Sequence, residues 1–288
     1  MEQIELRSGR RVGLHRLSGG ARTVVLCHAA PGAGNFDPDP AQTSARDISL
    51  IAVDRPGYGG SHPLGAGEWA TVAAAADDLA QVLDGLQTGP VGVAGWSAGG
   101  RVALALAARR PDLVDRVAVI STPAPDAEVS WIPPEHRAGL EALSRLPPDQ
   151  VHAALTDQFS ALKPADPNSD AALALLGRGP QDDAALAYPG ARTRLGGMMT
   201  AAWTQGAAGM AADVAGYGLR PWGFEPLEVR AKTLLLYGAK DPIGSKHAAW
   251  WKKALPGARL EMVPGAGHLL IIPMWRRVLS HLAPGSRA

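Results

Sequence analysis

A serine flanked by glycines is the first feature of the sequence that could support chemistry. Gly95-Trp96-Ser97-Ala98-Gly99-Gly100 contains the pattern G-x-S-x-G and lies between a predicted strand, residues 91–94, and a helix predicted to begin near Ala98. In this context a sharp turn strains the serine backbone and lifts its hydroxyl above a sheet edge, while small residues at positions 95 and 99 let strand and helix approach closely. Ser97 is therefore predicted to be a nucleophile; the alternative is a Gly-rich turn in which Ser97 only caps the helix.

A serine hydroxyl is a weak nucleophile at its ordinary pKa and needs a base, which an acid must orient. His268 ends the segment Pro264-Gly265-Ala266-Gly267-His268 after one predicted strand, and Asp241 follows another in Tyr237-Gly238-Ala239-Lys240-Asp241-Pro242. Loops at the carboxyl ends of parallel strands meet at one sheet edge. The sequence thus predicts a triad of Ser97, His268 and Asp241, with Asp126 as the alternative acid. Without this role, His268 is an exposed loop histidine and Asp241 a turn residue before a proline.

The remaining chemistry-bearing residues are predicted to be structural. Cys27 is the only cysteine, so no intrachain disulfide can form, and its strand neighbour His28 should point to the opposite face, which disfavours a Cys-His pair. The histidines lack metal-ligand spacing and no P-loop lysine follows the glycines, so neither a metal nor a cofactor is predicted. The histidines predicted to lie at the surface are His15, His62, His136, His152, His247 and His281.

The elements that must position the triad follow from the hydrophobic pattern. Short apolar runs alternate with Ala/Leu-rich stretches, which is typical of an α/β fold with a mostly parallel central sheet flanked by helices. Strands are predicted at residues 23–28, 49–54, 91–94, 117–121, 233–237 and 259–263, and helices at 71–86, 98–109, 245–254 and 274–282. The tail after Ala283 is expected to fray.

One stretch interrupts this alternation. Residues 123–226 contain the pairs Pro133-Pro134 and Pro147-Pro148 and helical segments, but no convincing strand. This pattern predicts a helical cap inserted between two parts of one core domain, residues 1–122 and 227–288.

Composition limits the function further. The 288 residues, 46% of them hydrophobic, can bury a large core. Lys and Arg number 28 against 27 for Asp and Glu, so no basic field favours nucleic acid or anionic lipid as a partner. Neither an export signal nor an apolar run long enough to span a membrane is apparent. A cytoplasmic protein that acts on a small molecule is expected, and its oligomeric state is left open.

Together these motifs resemble the α/β-hydrolase superfamily with a helical cap, from about residue 10 to residue 283. His28-Ala29-Ala30-Pro31-Gly32 is similar to the family's H-G-x-P-G loop, with Ala29 where glycine is usual, and Asp54-Arg55-Pro56-Gly57-Tyr58-Gly59-Gly60-Ser61 resembles its D-x-x-G-x-G-x-S stretch. The resemblance implies that the N–H groups of Ala30 and Ala98 form the oxyanion hole. His28 and Asp54 are expected to support the two loops.

The predicted reaction is hydrolysis of a carboxylic ester of a small, largely apolar substrate through an acyl-enzyme. Leu195, Met199 and Trp203 form an apolar stripe at helical spacing that either packs the cap or lines an acyl pocket, so Trp96, Met199 and Trp203 are candidate substrate-binding residues. The alternatives are other chemistries of the superfamily, namely lactone, thioester, peptide or C–C bond hydrolysis and haloperoxidase or perhydrolase activity, and a ligand-binding protein without turnover.

Overall fold

The computed structural model describes residues 1–285, so most of the tail that was expected to fray lies outside the described residues. Its centre is one sheet of eight strands. The strands are β1 (Glu2–Glu5), β2 (Arg11–Arg16), β3 (Arg22–Cys27), β4 (Ile48–Val53), β5 (Val91–Trp96), β6 (Val114–Ile120), β7 (Lys232–Gly238) and β8 (Arg259–Val263). Their order is β1-β2-β4-β3-β5-β6-β7-β8.

Strands β3 to β8 pair in parallel and confirm the six predicted strands. Such strands are buried on both faces, which explains continuous apolar runs such as Val24 to Cys27. The hairpin of β1 and β2, which pairs antiparallel with β4, was not predicted. In β2 the buried Val12 and Leu14 alternate with polar or small residues, a pattern too short to distinguish from a loop.

Helices cover both faces of the sheet, as predicted. Their bounds are α1 (Pro40–Ala45), α2 (Val72–Leu86), α3 (Gly99–Arg109), α4 (Pro134–Leu143), α5 (Pro148–Ser160), α6 (Asp170–Ala174), α7 (Asp183–Leu186), α8 (Ala191–Ala202), α9 (Ala208–Leu219), α10 (Ser245–Ala254) and α11 (Trp275–Leu282). One hydrophobic cluster joins α2, α3 and α10 to the sheet, and another joins α8 and α11 to its other side. Short 3-10 helices lie at Pro180–Asp182, Pro226–Glu228 and His268–Ile271.

Residues 121–231, between β6 and β7, contain α4 to α9 and no described strand; we refer to them as the helical insert. Within it, α5 packs on α9 through Val151, Leu155, Ala211 and Ala215. The division into a core domain and a cap at residues 123–226 stays a prediction. Over the described residues, none of the helices combines the length and the apolar character needed to span a membrane.

Candidate active site

Ser97 lies in a tight turn between strand and helix. β5 ends at Trp96 and α3 begins at Gly99, so only Ser97 and Ala98 form the connection. The φ angle of Ser97 is +53°, in the left-handed region that non-glycine residues rarely adopt. Its backbone N–H donates to the carbonyl of Ile120 on the neighbouring strand at 2.8 Å, which holds the strained residue at the sheet edge. Strain of this kind is concentrated at functional sites.

The glycines of this turn are needed because backbones approach closely. A Cβ atom on Gly99 would lie 2.1 Å from the carbonyl oxygen of Cys27 in β3, and one on Gly95 would lie 2.4 Å from Cα of Gly100. Neither backbone neighbour can move away as a flexible side chain would. This accounts physically for the small residues at positions 95 and 99 and supports the predicted turn.

His268 and Asp241 lie side by side. His268 Nδ1 is 2.9 Å from Asp241 Oδ2, and both side chains are almost completely buried. Burial alone would raise the pKa of Asp241, but the hydrogen bond and charge of His268, with the N–H of Ile243, outweigh it and hold that pKa below its ordinary value. Asp241 is therefore ionised at neutral pH and fixes the orientation of the imidazole.

Asp126, the alternative acid, is occupied elsewhere. Its Oδ1 accepts the backbone N–H groups of Trp131 and Ile132 at 2.8 and 2.7 Å, and its Oδ2 pairs with Arg137 at 2.9 Å. The residue paired with His268 is Asp241.

Ser97 and His268 line one cavity of about 290 Å³. Ala30 and Ala98 line the same cavity, and within residues 1–285 neither of their N–H groups donates a hydrogen bond. The structure thus brings together four of the five predicted catalytic and oxyanion residues, with Asp241 directly behind His268. Most of the remaining wall is apolar and includes Leu140, Leu175, Leu176, Met210, Val214 and Ile243.

Arg55 stabilises the loop that carries Ala30. Its Nη1 and Nη2 donate to the carbonyl oxygens of His28 and Ala29 at 2.6 and 2.9 Å. The His28 ring is 2.8 Å from the Ala29 carbonyl through Nδ1, and its Nε2 accepts the Arg55 N–H at 3.2 Å. Burial and the Arg55 charge lower the pKa of His28 to about 3, so the ring is neutral, as these two bonds require. His28 supports the loop as expected.

Asp54 anchors the next loop. Its carboxylate accepts the N–H groups of Gly34 and Gly60 at 2.6 and 2.9 Å and lies 2.9 Å from His15 Nε2. Burial opposes its charge, yet these partners together hold the pKa of Asp54 below the ordinary value. His15 is buried with it, and His247 is also buried, so the prediction of a surface histidine is wrong at both positions.

Two buried aspartates of the helical insert also hold these loops, and sequence reasoning missed both. Asp182 Oδ1 accepts the N–H of Leu269 at 2.9 Å and Oδ2 that of His268 at 3.3 Å. Asp213 in α9 binds the Arg55 guanidinium through both oxygens, at 2.9 and 2.7 Å. A buried aspartate in a helical stretch has the same neighbours in the sequence as one that faces solvent. Only the long-range contacts in the structure therefore reveal the roles of Asp182 and Asp213.

The three candidate substrate-binding residues lie elsewhere. Trp96, Met199 and Trp203 are buried in the hydrophobic core, and none of them is among the residues that line the cavity beside Ser97. Trp96 instead donates its indole N–H to the carbonyl of His268 at 3.0 Å, which fixes the His268 loop from the side of β5. The apolar stripe of α8 is buried in that cluster and does not line the cavity, which agrees with the packing interpretation.

Cys27 takes no part in the site. Burial raises the pKa of its thiol to about 12, so it carries no thiolate at neutral pH. No group of three His, Cys, Asp or Glu side chains in the described part of the chain is arranged to hold a metal ion.

Comparison with known proteins finds an esterase relative and solved structures of similar fold. The chain is 27% identical over 263 residues to a pimeloyl-[acyl-carrier protein] methyl ester esterase of Chromobacterium violaceum, covering 85% of this chain and 86% of the relative. Among solved structures it is similar to a thermophilic esterase from Thermogutta terrifontis (TM-score 0.67, 21% identity, 96% and 95% of the two chains). It is also similar to the enol-lactonase of Burkholderia xenovorans LB400 (TM-score 0.66, 21% identity, 96% and 98%).

The profile of one protein family matches residues 22–273, from the start of β3 to just before α11. This range contains the turn at Ser97, the loop of Ala30 and the His268-Asp241 pair. The chain belongs to the family with the alpha/beta hydrolase fold.

Proposed function

We propose that this protein is a serine hydrolase that cleaves carboxylic esters through a triad of Ser97, His268 and Asp241. One observation carries the proposal. The strained Ser97, the Asp241-bound His268 and two N–H groups without a hydrogen bond to the described residues surround one cavity. This combination provides a nucleophile, an oriented base and donors for an oxyanion.

In the first step, His268 takes the proton of the Ser97 hydroxyl as its oxygen attacks the ester carbonyl. The N–H groups of Ala30 and Ala98 bind the oxyanion, and the ionised Asp241 stabilises the imidazolium that forms. His268 then gives the proton to the leaving alcohol. In the second step, water adds to the acyl-enzyme, His268 takes one of its protons and returns it to Ser97, and the acid leaves.

The cavity supports a small substrate, with the helical insert acting as a cap. Its volume of about 290 Å³ lies at the lower end of the usual range for ligand pockets. Leu175, Leu176, Met210 and Val214, all from the helical insert, give one side of the cavity an apolar wall. The relative from Chromobacterium violaceum acts on a methyl ester by its name, which favours an ester over the other bonds that the family cleaves.

The test is hydrolysis of p-nitrophenyl esters with acyl chains of two to eight carbons, using wild type and Ser97→Ala. We expect kcat/KM of the variant to fall by at least about 10³-fold, because removal of a triad nucleophile leaves only binding and oxyanion contributions. Ser8→Ala is the matched control, since Ser8 is exposed in the turn between β1 and β2. The acyl chain length with the highest kcat/KM indicates how long an acyl group the cavity accommodates.

A second readout follows the covalent step directly. A fluorophosphonate should add one phosphonyl group to the Ser97 peptide of wild type and none to Ser97→Ala, as seen by mass spectrometry. Ester turnover that survives in Ser97→Ala would refute the proposed nucleophile. Labelling of Ser97 without turnover of any ester would refute ester hydrolysis and favour another bond or a binding role.

A further inference from the structure

Arg101 is a buried cation without a counterion. It is the third residue of α3, about one helical turn beyond Ser97, and only 2% of its surface is exposed. Its guanidinium forms no ion pair or hydrogen bond with any described residue, and Nε is fully buried without a partner. An unpaired buried charge is far more costly than a paired one.

Aromatic rings hold this guanidinium in place. Its Cζ atom lies 5.5, 4.9 and 4.7 Å from the ring centroids of Trp131, Tyr217 and Trp222. Ring faces attract a cation. A ring face is not a hydrogen-bond acceptor for the N–H groups that lie in the guanidinium plane. The side-chain N–H groups of Arg101 therefore make no hydrogen bond with any described residue.

The acid that could neutralise Arg101 is already engaged. Asp213 lines the cavity beside Ser97, but both of its oxygens bind Arg55. Burial lowers the pKa of Arg101 to about 10, which still leaves the group protonated at neutral pH. Its positive charge therefore forms no ion pair with an acid among residues 1–285.

Arg101 stands at the boundary of two cavities. It lines the cavity of about 290 Å³ that contains Ser97 and His268, and it also lines a neighbouring cavity of about 1080 Å³. Trp131 and Tyr217 also belong to the walls of both cavities. Among the described residues, Arg101 is the only Lys or Arg that borders the cavity of Ser97.

We propose that Arg101 determines specificity by binding a carboxylate group of the substrate, so that the preferred esters are half-esters of short dicarboxylic acids. A planar monoanion matches the guanidinium fork and needs only one cation. A phosphate dianion would need further donors, which this mostly apolar wall does not offer. The proposal rests on ester hydrolysis at Ser97 and adds the chemical class of the acyl group.

The experiment compares p-nitrophenyl half-esters of succinic, glutaric and adipic acid with matched esters in which a carboxamide replaces the free carboxylate. The readout is the ratio of kcat/KM for acid and amide at each chain length, in wild type, Arg101→Lys and Arg101→Met. We expect wild type to favour the acid at one chain length, and Arg101→Met to lower that ratio about 100-fold, mainly through KM. Arg101→Lys should retain part of the preference, since it keeps the charge without the fork.

Arg7→Met is the matched control, because Arg7 is exposed in the turn between β1 and β2 and its side chain makes no described hydrogen bond. It should leave the ratio unchanged. Equal kcat/KM for acid and amide in wild type, or an unchanged ratio in Arg101→Met, would overturn the inference and leave Arg101 as a packing residue among aromatic rings.

A binding measurement separates this inference from the proposed function. Calorimetry of Ser97→Ala with glutarate and adipate should show binding that Ser97→Ala/Arg101→Met lacks. If wild type hydrolyses neither series but this binding is found, ester hydrolysis fails and the anion site stands. If amide esters are hydrolysed in a Ser97-dependent manner and no dicarboxylate binds, the function stands and the anion site fails.

Discussion

The loops at the carboxyl edge of the sheet and the helical insert that faces them contribute different things to the site. The sheet loops carry every residue of the proposed triad, namely Ser97, Asp241 and His268. The insert carries none, but its buried Asp182 accepts backbone N–H groups of the His268 loop, and its buried Asp213 binds the Arg55 guanidinium, which donates to the loop of Ala30. Reactive groups thus come from short local motifs, and their exact placement comes from partners 86 to 158 residues away in the chain.

The two insert aspartates are satisfied in different ways, and this difference predicts different costs. Asp213 is neutralised by Arg55 in a pair whose side chains are 5% and 6% exposed. Asp182 forms no ion pair with the described part of the chain, and its carboxylate accepts the backbone N–H groups of Gly179, His268 and Leu269. Removing Arg55 therefore leaves the buried Asp213 carboxylate without its hydrogen-bonded ion-pair partner. Changing Asp182 instead removes hydrogen-bond acceptors from the backbone N–H groups of the His268 loop.

The largest effect should come from the sheet loops. Asp241→Asn should lower kcat for a p-nitrophenyl ester by about 10⁴-fold with little change in fold, because an amide neither holds the required imidazole tautomer nor stabilises the imidazolium. Asp126→Asn is the control and should retain nearly full activity, since Asp126 pairs with Arg137. A greater loss in Asp126→Asn than in Asp241→Asn would reverse the assignment of the acid.

The contact between the two regions should be the next most sensitive. Arg55→Met removes the guanidinium that binds both oxygens of the buried Asp213 and should lower the free energy of unfolding by about 3–5 kcal/mol, as measured by urea denaturation. Arg55→Met/Asp213→Leu should recover most of that stability but not the activity, because the carbonyl groups of His28 and Ala29 still lack their donors. A double variant as unstable as the single one would show that the pair contributes little beyond packing.

The parallel sheet and the proximity of His268 to Asp241 could be predicted because their signals are local. Short apolar runs predict β3 to β8. Gly95 and Gly99 predict the turn at Ser97, because a strand and a helix that are joined so tightly leave no room for a Cβ atom at these positions. Asp241 was favoured over Asp126 on topology alone, and the 2.9 Å contact with His268 agrees with that choice.

The contacts of the insert could not be predicted, because no local pattern encodes them. An apolar stripe predicts that Met199 and Trp203 are buried, but it does not specify whether they meet the sheet or a substrate. A buried arginine such as Arg101 has the same helical position as an exposed one. Which partner each side chain meets is decided by how the insert folds back over the sheet.

A pH titration of stability sharpens the comparison from the side of the sheet loops. His28 titrates near 6.5 when unfolded and at about 3 when folded, so the unfolded chain binds the extra proton between these values. Stability should be highest above pH 6.5 and fall as the pH drops, by about 1.4 kcal/mol per unit and by roughly 2 kcal/mol at pH 5. Urea unfolding between pH 5 and 8 measures this slope, which should be shallower in His28→Asn. Equal slopes of stability against pH in wild type and His28→Asn would assign the pH dependence to other groups.

The smallest effect, and the one that tests the role of the insert most directly, is expected for Asp182→Asn. The amide has one acceptor oxygen where the carboxylate serves the N–H groups of both His268 and Leu269, so the His268 loop loses a charge-assisted bond. We expect kcat to fall about 10-fold with KM nearly unchanged, because Asp182 does not line the cavity beside Ser97 and only the placement of the base is altered. Asp183→Asn is the matched control, since that neighbour is exposed and pairs with Arg178. A variant with a lower melting temperature but wild-type kcat would show that Asp182 stabilises the fold without positioning His268. The proposed role of the insert in placing the catalytic loops would then be refuted at this contact.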